Sequence, residues 1–280
     1  MLKKSGLFLG AALAMIFFSP GCDSHDWGSP AGPSQTPGGP TTLAVLAGNV
    51  SGVGNADGTG ALAKFYSPMG VAVDGAGNVF VADYSNQAIR KITPQGVVTT
   101  VTMPPGQAWN FCCVAVDPSG NLFLADPGVG LEELTAASGL TTAVTIAGPG
   151  HGFGEVKNLA VDANGNLYVA DGGNAGAPTP IPTGVYKLTK SSNFATATAL
   201  AAPGGGYQAP GGVAVDANGN VFVTDTQAKA VYRISGSTVT TLGAPTFGWG
   251  APLGVCVDSA GNVDVMDIYV TVSDAVLKID

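Results

Sequence analysis

The residues able to do chemistry are few, and most of them recur at fixed places. The phrase Asp-x-x-Gly-Asn-[Val/Leu]-x-[Val/Leu]-x-Asp occurs five times: Asp74 to Asp83, Asp117 to Asp126, Asp162 to Asp171, Asp216 to Asp225 and Asp258 to Asp267. Its two Asp slots take ten of the 19 acidic residues. Calcium favours a dense set of carboxylates, which no single copy offers. Both slots are therefore expected to cap turn amides. Only two His are present, His25 and His151. That count excludes a zinc centre of several His, and no Ser or Cys stands in readable partnership with His151 as a nucleophile. The stretch Gly58-Thr59-Gly60-Ala61-Leu62-Ala63 matches a loose dinucleotide fingerprint but lacks the strand–helix–strand unit that gives it meaning. No catalytic residue, metal ligand set or cofactor is expected.

Three features remain. An aromatic sits nine residues before each first Asp, at Phe65, Phe153, Tyr207 and Trp249, with Trp109 one residue late in the second copy. So fixed a register fits a packing wedge, while a ring of aromatics that stacks sugars is the functional alternative. Trp109 and Trp249, flanked by Gly and polar residues, are the two expected to be exposed for ligand. Asp264 takes a slot filled elsewhere by Phe80, Phe123, Tyr168 and Phe222. A carboxylate there is costly unless paired or solvated, which makes Asp264 the third candidate ligand-binding residue. Cys112 and Cys113 are adjacent and Cys256 stands apart; the choice is between small buried thiols and a Cys112–Cys113 disulfide.

The elements that must hold these residues are strands. Copies follow one another at 43, 45, 54 and 42 residues, each with four short apolar runs joined by turns. Runs such as NVFVAD, NLFLAD and NLYVAD are apolar at nearly every position, as strands are when both faces of their sheet are covered. Sheets stacked around an axis cover one another in this way, so the fold class is all-β and the period fits a β-propeller with four strands per blade.

Phe65-x-Ser67-Pro68-x-Gly70-Val71-Ala72-Val73-Asp74, followed by GNVFVADYSNQAIRKI from Gly77 to Ile92, resembles an NHL repeat. The resemblance covers residues 41–280 and implies a propeller in which Cys113 takes the slot of Gly70, and Cys256 that of Ala72, near the axis. Six blades are common in that family, and this chain shows five copies. The last copy ends at its third strand, so Thr42–Ala47 is expected to supply the fourth and close a five-bladed ring; a six-bladed ring is the alternative.

The N-terminus reads as an export signal. Lys3 and Lys4 precede a 13-residue apolar run, too short to span a bilayer, and then Ser19-Pro20-Gly21-Cys22. Small residues leading into a Cys resemble a lipobox, which makes Cys22 the expected lipidation site. Residues 1–21 are then a signal peptide, the Pro/Gly/Ser-rich 22–40 a tether, and 41–280 the propeller. Without Lys3 and Lys4 the chain has 9 basic and 19 acidic residues, and no polybasic run. That balance excludes nucleic acid as a partner, and leaves the lipid as the only membrane contact. The expectation is a monomeric, non-enzymatic binding module at the bacterial cell envelope, periplasmic or on the surface, or else secreted. It would take a protein or carbohydrate partner through channel-mouth loops, the third copy carrying about eight extra residues within Gly172 to Gly184. The alternative implied by the family is a metal-dependent hydrolase or lyase of lactonase-like type.

Overall fold

Each Asp-x-x-Gly-Asn phrase folds as a hairpin turn in which every specified residue has a task. In the first copy Asp74 Oδ1 accepts from the amides of Ala76 (2.9 Å) and Asn78 (2.8 Å), and Oδ2 accepts from Asn78 Nδ2 (2.8 Å). Gly77 closes the turn onto the Asp74 carbonyl at φ 80°, where a side chain would be strained. Asp117, Asp162, Asp216 and Asp258 hold the same Asn amide and side chain in their own copies.

The computed structural model describes residues 45–48, 52–103, 110–126, 130–147, 153–173, 182–204, 206–242, 250–258, 261–267 and 275–279. These form five antiparallel sheets. The first holds β1 (Gly58–Thr59), β2 (Pro68–Val73), β3 (Val79–Asp83), β4 (Ala88–Ile92) and β5 (Val97–Thr100), in the order β1-β5-β4-β3-β2. The second runs β6 (Cys113–Val116), β7 (Leu122–Asp126), β8 (Gly130–Leu134), β9 (Ala143–Ala147). The third runs β10 (Val156–Val161), β11 (Leu167–Asp171), β12 (Gly184–Leu188), β13 (Ala197–Ala199). The fourth runs β14 (Pro210–Val215), β15 (Val221–Asp225), β16 (Ala230–Ser235), β17 (Thr238–Leu242), and the fifth β18 (Pro252–Val257), β19 (Val263–Asp267), β20 (Ala275–Ile279).

The first strands β2, β6, β10, β14 and β18 pack side by side in chain order. Each sheet lays one face on its predecessor: Val114, Val116, Leu122 and Leu124 meet Ala72, Phe80, Ala82 and Ile89, and Leu159, Val161, Leu167 and Val169 meet Ala115, Phe123 and Ala125. Burial of a Val, Leu or Phe contributes about 1.5–3 kcal/mol, against about 1 kcal/mol net for a turn hydrogen bond. The apolar faces between sheets therefore carry the stability, and the turns set the register.

Two expectations are corrected. Thr42–Ala47 was to close the ring as a strand on the last sheet. Residues 42–44 lie outside the described residues, but Val45–Gly48 form no strand and sit by the first sheet, with the Gly48 amide donating to Gly60 O (3.0 Å). The strand that does join early is Gly58–Thr59, which pairs with β5. Among the described residues the fifth sheet has three strands, and β18 does not pack on β2 as consecutive first strands pack on each other. On the first sheet, Val71, Val73, Val79 and Val81 remain half-buried accordingly. The second concerns the second Asp of the first four copies, which does more than cap a turn.

Candidate functional site

The register places the two Asp slots at opposite ends of the sheets. Pro68 pairs with Asp83, Val156 with Asp171, Pro210 with Asp225 and Pro252 with Asp267, so the second Asp stands where the first strand begins. The hairpin turns occupy the other end. The second Asp caps the turn that follows it, Asp171 through the Gly173 amide (2.8 Å) and Asp225 through that of Ala228, and it also reaches back to the loop that enters the sheet. Asp83 accepts from the Tyr66 amide (2.7 Å), Asp126 from that of Asn110, and Asp171 from those of Gly154 (2.9 Å) and Glu155 (2.8 Å). Asp225 takes Gln208 (2.7 Å), Ala209 (3.0 Å) and Ala228 (2.9 Å). All four are buried, and each ties an otherwise unpaired loop amide to a strand end. We call this the clamp end. The strand ends that bracket residues 174–181 and 268–274 both lie there.

Beneath the clamps the first strands bulge. The register shifts between Pro68 and Gly70, Val156 and Asn158, Pro210 and Gly212, and Pro252 and Gly254. In the bulge a carbonyl turns toward the preceding sheet and leaves little room there. A Cβ on Gly212 would stand 2.6 Å from Leu253 O, and one on Gly70 would stand 3.0 Å from Cys112 O. Cys113 fills the corresponding slot of the second sheet, with its Sγ 3.1 Å from Lys157 O. At this level the strand starts are packed backbone and small side chains.

The aromatic nine residues before the first Asp packs onto the third strand of its own sheet. Phe65 lies under the Arg90 guanidinium (5.0 Å), Phe153 meets Tyr186 edge-on (5.7 Å) and Tyr207 meets Tyr232 (6.0 Å). Phe153 and Tyr207 also join apolar clusters shared with the preceding sheet, as a wedge between sheets does, whereas Phe65 packs within the first sheet. Trp109 and Trp249, like His25, His151 and Cys22, fall outside the described residues. Asp264 is half-buried in β19, pairing with Cys256 on one side and Lys278 on the other. Its counterparts Phe80 and Tyr168 pair with Lys91 and Lys187, whose ammonium groups lie over the rings at 5.7 and 5.1 Å. The last sheet thus keeps the cross-strand Lys and exchanges the aromatic for a carboxylate. Asp264 is three residues from the strand end at Asp267, so it stands apart from the clamp end.

Sequence reasoning missed the third-strand slot of Arg90. Arg90 donates to Asp83 and Asp57 and to the carbonyls of Lys64 and Ala56. The second sheet has Glu132 in that slot, with Oε1 buried and unpartnered. Burial pushes its carboxyl above the usual carboxylate range, Asp126 adds to this, and a hydrogen bond from Thr145 opposes it. Among the described residues no group of three or more His, Cys, Asp or Glu is placed to hold a metal.

Residues 65–92 match the family model for the NHL repeat. A chain of the nidogen/laminin complex superposes with a TM-score of 0.60 at 17% identity, over 77% of this chain and 76% of that one. The virginiamycin B lyase from Staphylococcus aureus gives 0.53 at 16% identity, over 76% and 69%. A streptogramin B lyase gives 0.53 at 15%, over 76% and 68%. No curated protein sequence matches significantly. The fold defines a β-propeller. The chain carries an NHL repeat at residues 65–92 and four further copies of the same phrase.

Proposed function

We propose that this chain is an exported, lipid-anchored propeller of the bacterial cell envelope that binds a protein or carbohydrate partner without catalysing a reaction. Cys22 carries the lipid, residues 22–40 act as the tether, and the loops of the clamp end meet the partner. The observation that carries this reading is the fate of the repeated carboxylates at that end. Asp83, Asp126, Asp171 and Asp225 are each committed to loop amides, which makes them a frame for loops and removes them as free ligands or bases. Loops held by a rigid frame are where binding surfaces concentrate. The neighbour from the nidogen/laminin complex supports a protein partner for this fold. Trp109 and Trp249 would supply stacking surface, and Asp264 a charge away from that end.

A metal-dependent hydrolase or lyase of lactonase-like type is the second reading, and the lyase neighbours favour it. It requires carboxylates or Asn converging on the axis. The bulge level instead offers Gly70, Cys113, Asn158, Gly212 and Gly254, of which Asn158 has its Oδ1 3.4 Å from the Val213 amide. Elemental analysis of the purified full chain separates the two. The binding reading expects no stoichiometric metal; one tightly held Ca²⁺ or Zn²⁺ per chain overturns it. Labelling with a lipid precursor, compared with Cys22→Ala, tests the anchor.

A further inference from the structure

Consecutive side chains of a strand point to opposite faces, so adjacent cysteines in a regular strand hold their thiols apart. Here the strand is not regular. Cys113 pairs with Ala125, and the Cys112 amide donates to the same residue's carbonyl (3.2 Å), so two residues of one strand oppose one of its partner. That bulge turns both side chains toward the third sheet. Cys112 Sγ lies 3.5 Å from Val156 O and Cys113 Sγ 3.1 Å from Lys157 O, and the two sulfurs are 3.2 Å apart. Cys112 is half-buried and reachable from solvent, whereas Cys113 is buried.

We propose that Cys112 and Cys113 form a redox-active vicinal dithiol, which small-molecule disulfides oxidise to a bridge at the start of β6. The Cys112 thiolate attacks one sulfur of the disulfide RSSR, forming a mixed disulfide and expelling RS⁻, which takes up a proton. The Cys113 thiol then loses its proton and attacks Cys112 Sγ, closing the bridge and releasing the second RSH. The protein loses two electrons and two protons, and RSSR is reduced to two RSH. The order of attack follows from exposure and from the thiols themselves. The hydrogen bond from Cys113 lowers the Cys112 thiol below its usual range, and the same contact together with burial raises Cys113 well above it.

The full chain, treated with excess oxidised glutathione, acid-quenched, alkylated and digested with trypsin, tests this. The fragment 92–157 holds Cys112 and Cys113 and no other Cys. It is expected to lose two hydrogens and to take no alkyl group until reduced. The Cys113→Ser chain should instead keep one glutathione on that fragment, because nothing resolves the mixed disulfide. The Cys112→Ser chain should stay unmodified there. The buried Cys256, on a separate fragment, reports that each chain is folded by resisting glutathione. Full alkylation of the oxidant-treated wild-type fragment, or glutathione retained on it, overturns the proposal. So does modification of Cys112→Ser as fast as Cys113→Ser.

Discussion

Asp83 and Arg90 form an ion pair of 3.0 Å in which neither side chain is exposed to solvent. Asp83 also holds the Tyr66 amide, and Arg90 holds two carbonyls of the preceding loop, so the pair sews residues 56–66 onto β3 and β4. Removing one partner of a buried pair strands the other charge and costs about 3–5 kcal/mol. Arg90→Ala is expected to lose that much in urea denaturation. Asp57, half exposed at the other side of Arg90, should matter far less: Asp57→Ala is expected to cost about 0–1 kcal/mol.

The clamps predict a contrast within one repeat. Asp225 is fully buried and accepts from three amides, so Asp225→Ala leaves them without a partner. A loss of at least about 3 kcal/mol is expected, since each of the three stranded donors costs about 1–3 kcal/mol. Asp216 caps a solvated turn in the same copy, and Asp216→Ala should cost about 0.5–2 kcal/mol, as caps do. Equal losses in denaturant melts would count against the clamp role.

Glu132 gives the protein a pH dependence of definite sign. Its folded carboxyl is raised above the ordinary value of 4.5 by burial. The native state therefore holds its proton more tightly than the unfolded chain, and stability falls as pH climbs through that range. Glu132→Gln removes this loss. It is expected to be more stable than the wild type at pH 7.5, with the difference shrinking toward pH 4, in parallel melts at the two pH values.

Gly212 tests the close approach of the fourth and fifth sheets. A methyl group there would meet backbone, Leu253 O at 2.6 Å and Val255 N at 3.1 Å, neither of which can swing aside. Gly212→Ala is expected to cost about 1–3 kcal/mol, as overpacking does. Gly75→Ala, with nothing within 4 Å, should melt with the wild type.

The hairpin phrase was fully legible in the sequence because its chemistry is local: Asp caps, Gly takes positive φ and Asn returns to the Asp within five residues. The strands were legible because burial on both faces leaves unbroken apolar runs. The second Asp was only half legible for a physical reason: its turn partners lie two or three residues away, whereas its loop partners lie 16 or 17 residues upstream and only the register brings them near. The role of Arg90 was hidden in the same way, its nearest carboxylates being 7 and 33 residues distant. The adjacency of Cys112 and Cys113 was visible, but the bulge that turns both thiols to one side was not. Thr42–Ala47 was given a strand because it is apolar and the last copy lacks a fourth, and Gly58–Thr59, with no apolar signal, joined the first sheet instead.

The proposed binding face is the clamp end. Its direct test is partner capture by the full chain, anchored at its N-terminal end and exposed to solubilised envelope proteins and glycans. The wild type is compared with a deletion of Gly173 to Pro180 at the clamp end and with Gly75→Ala in a turn of the opposite end. One partner should be held by the wild type and by Gly75→Ala and lost by the deletion, whose melt should match the wild type. Undiminished capture by the folded deletion, or loss on Gly75→Ala, would contradict that placement.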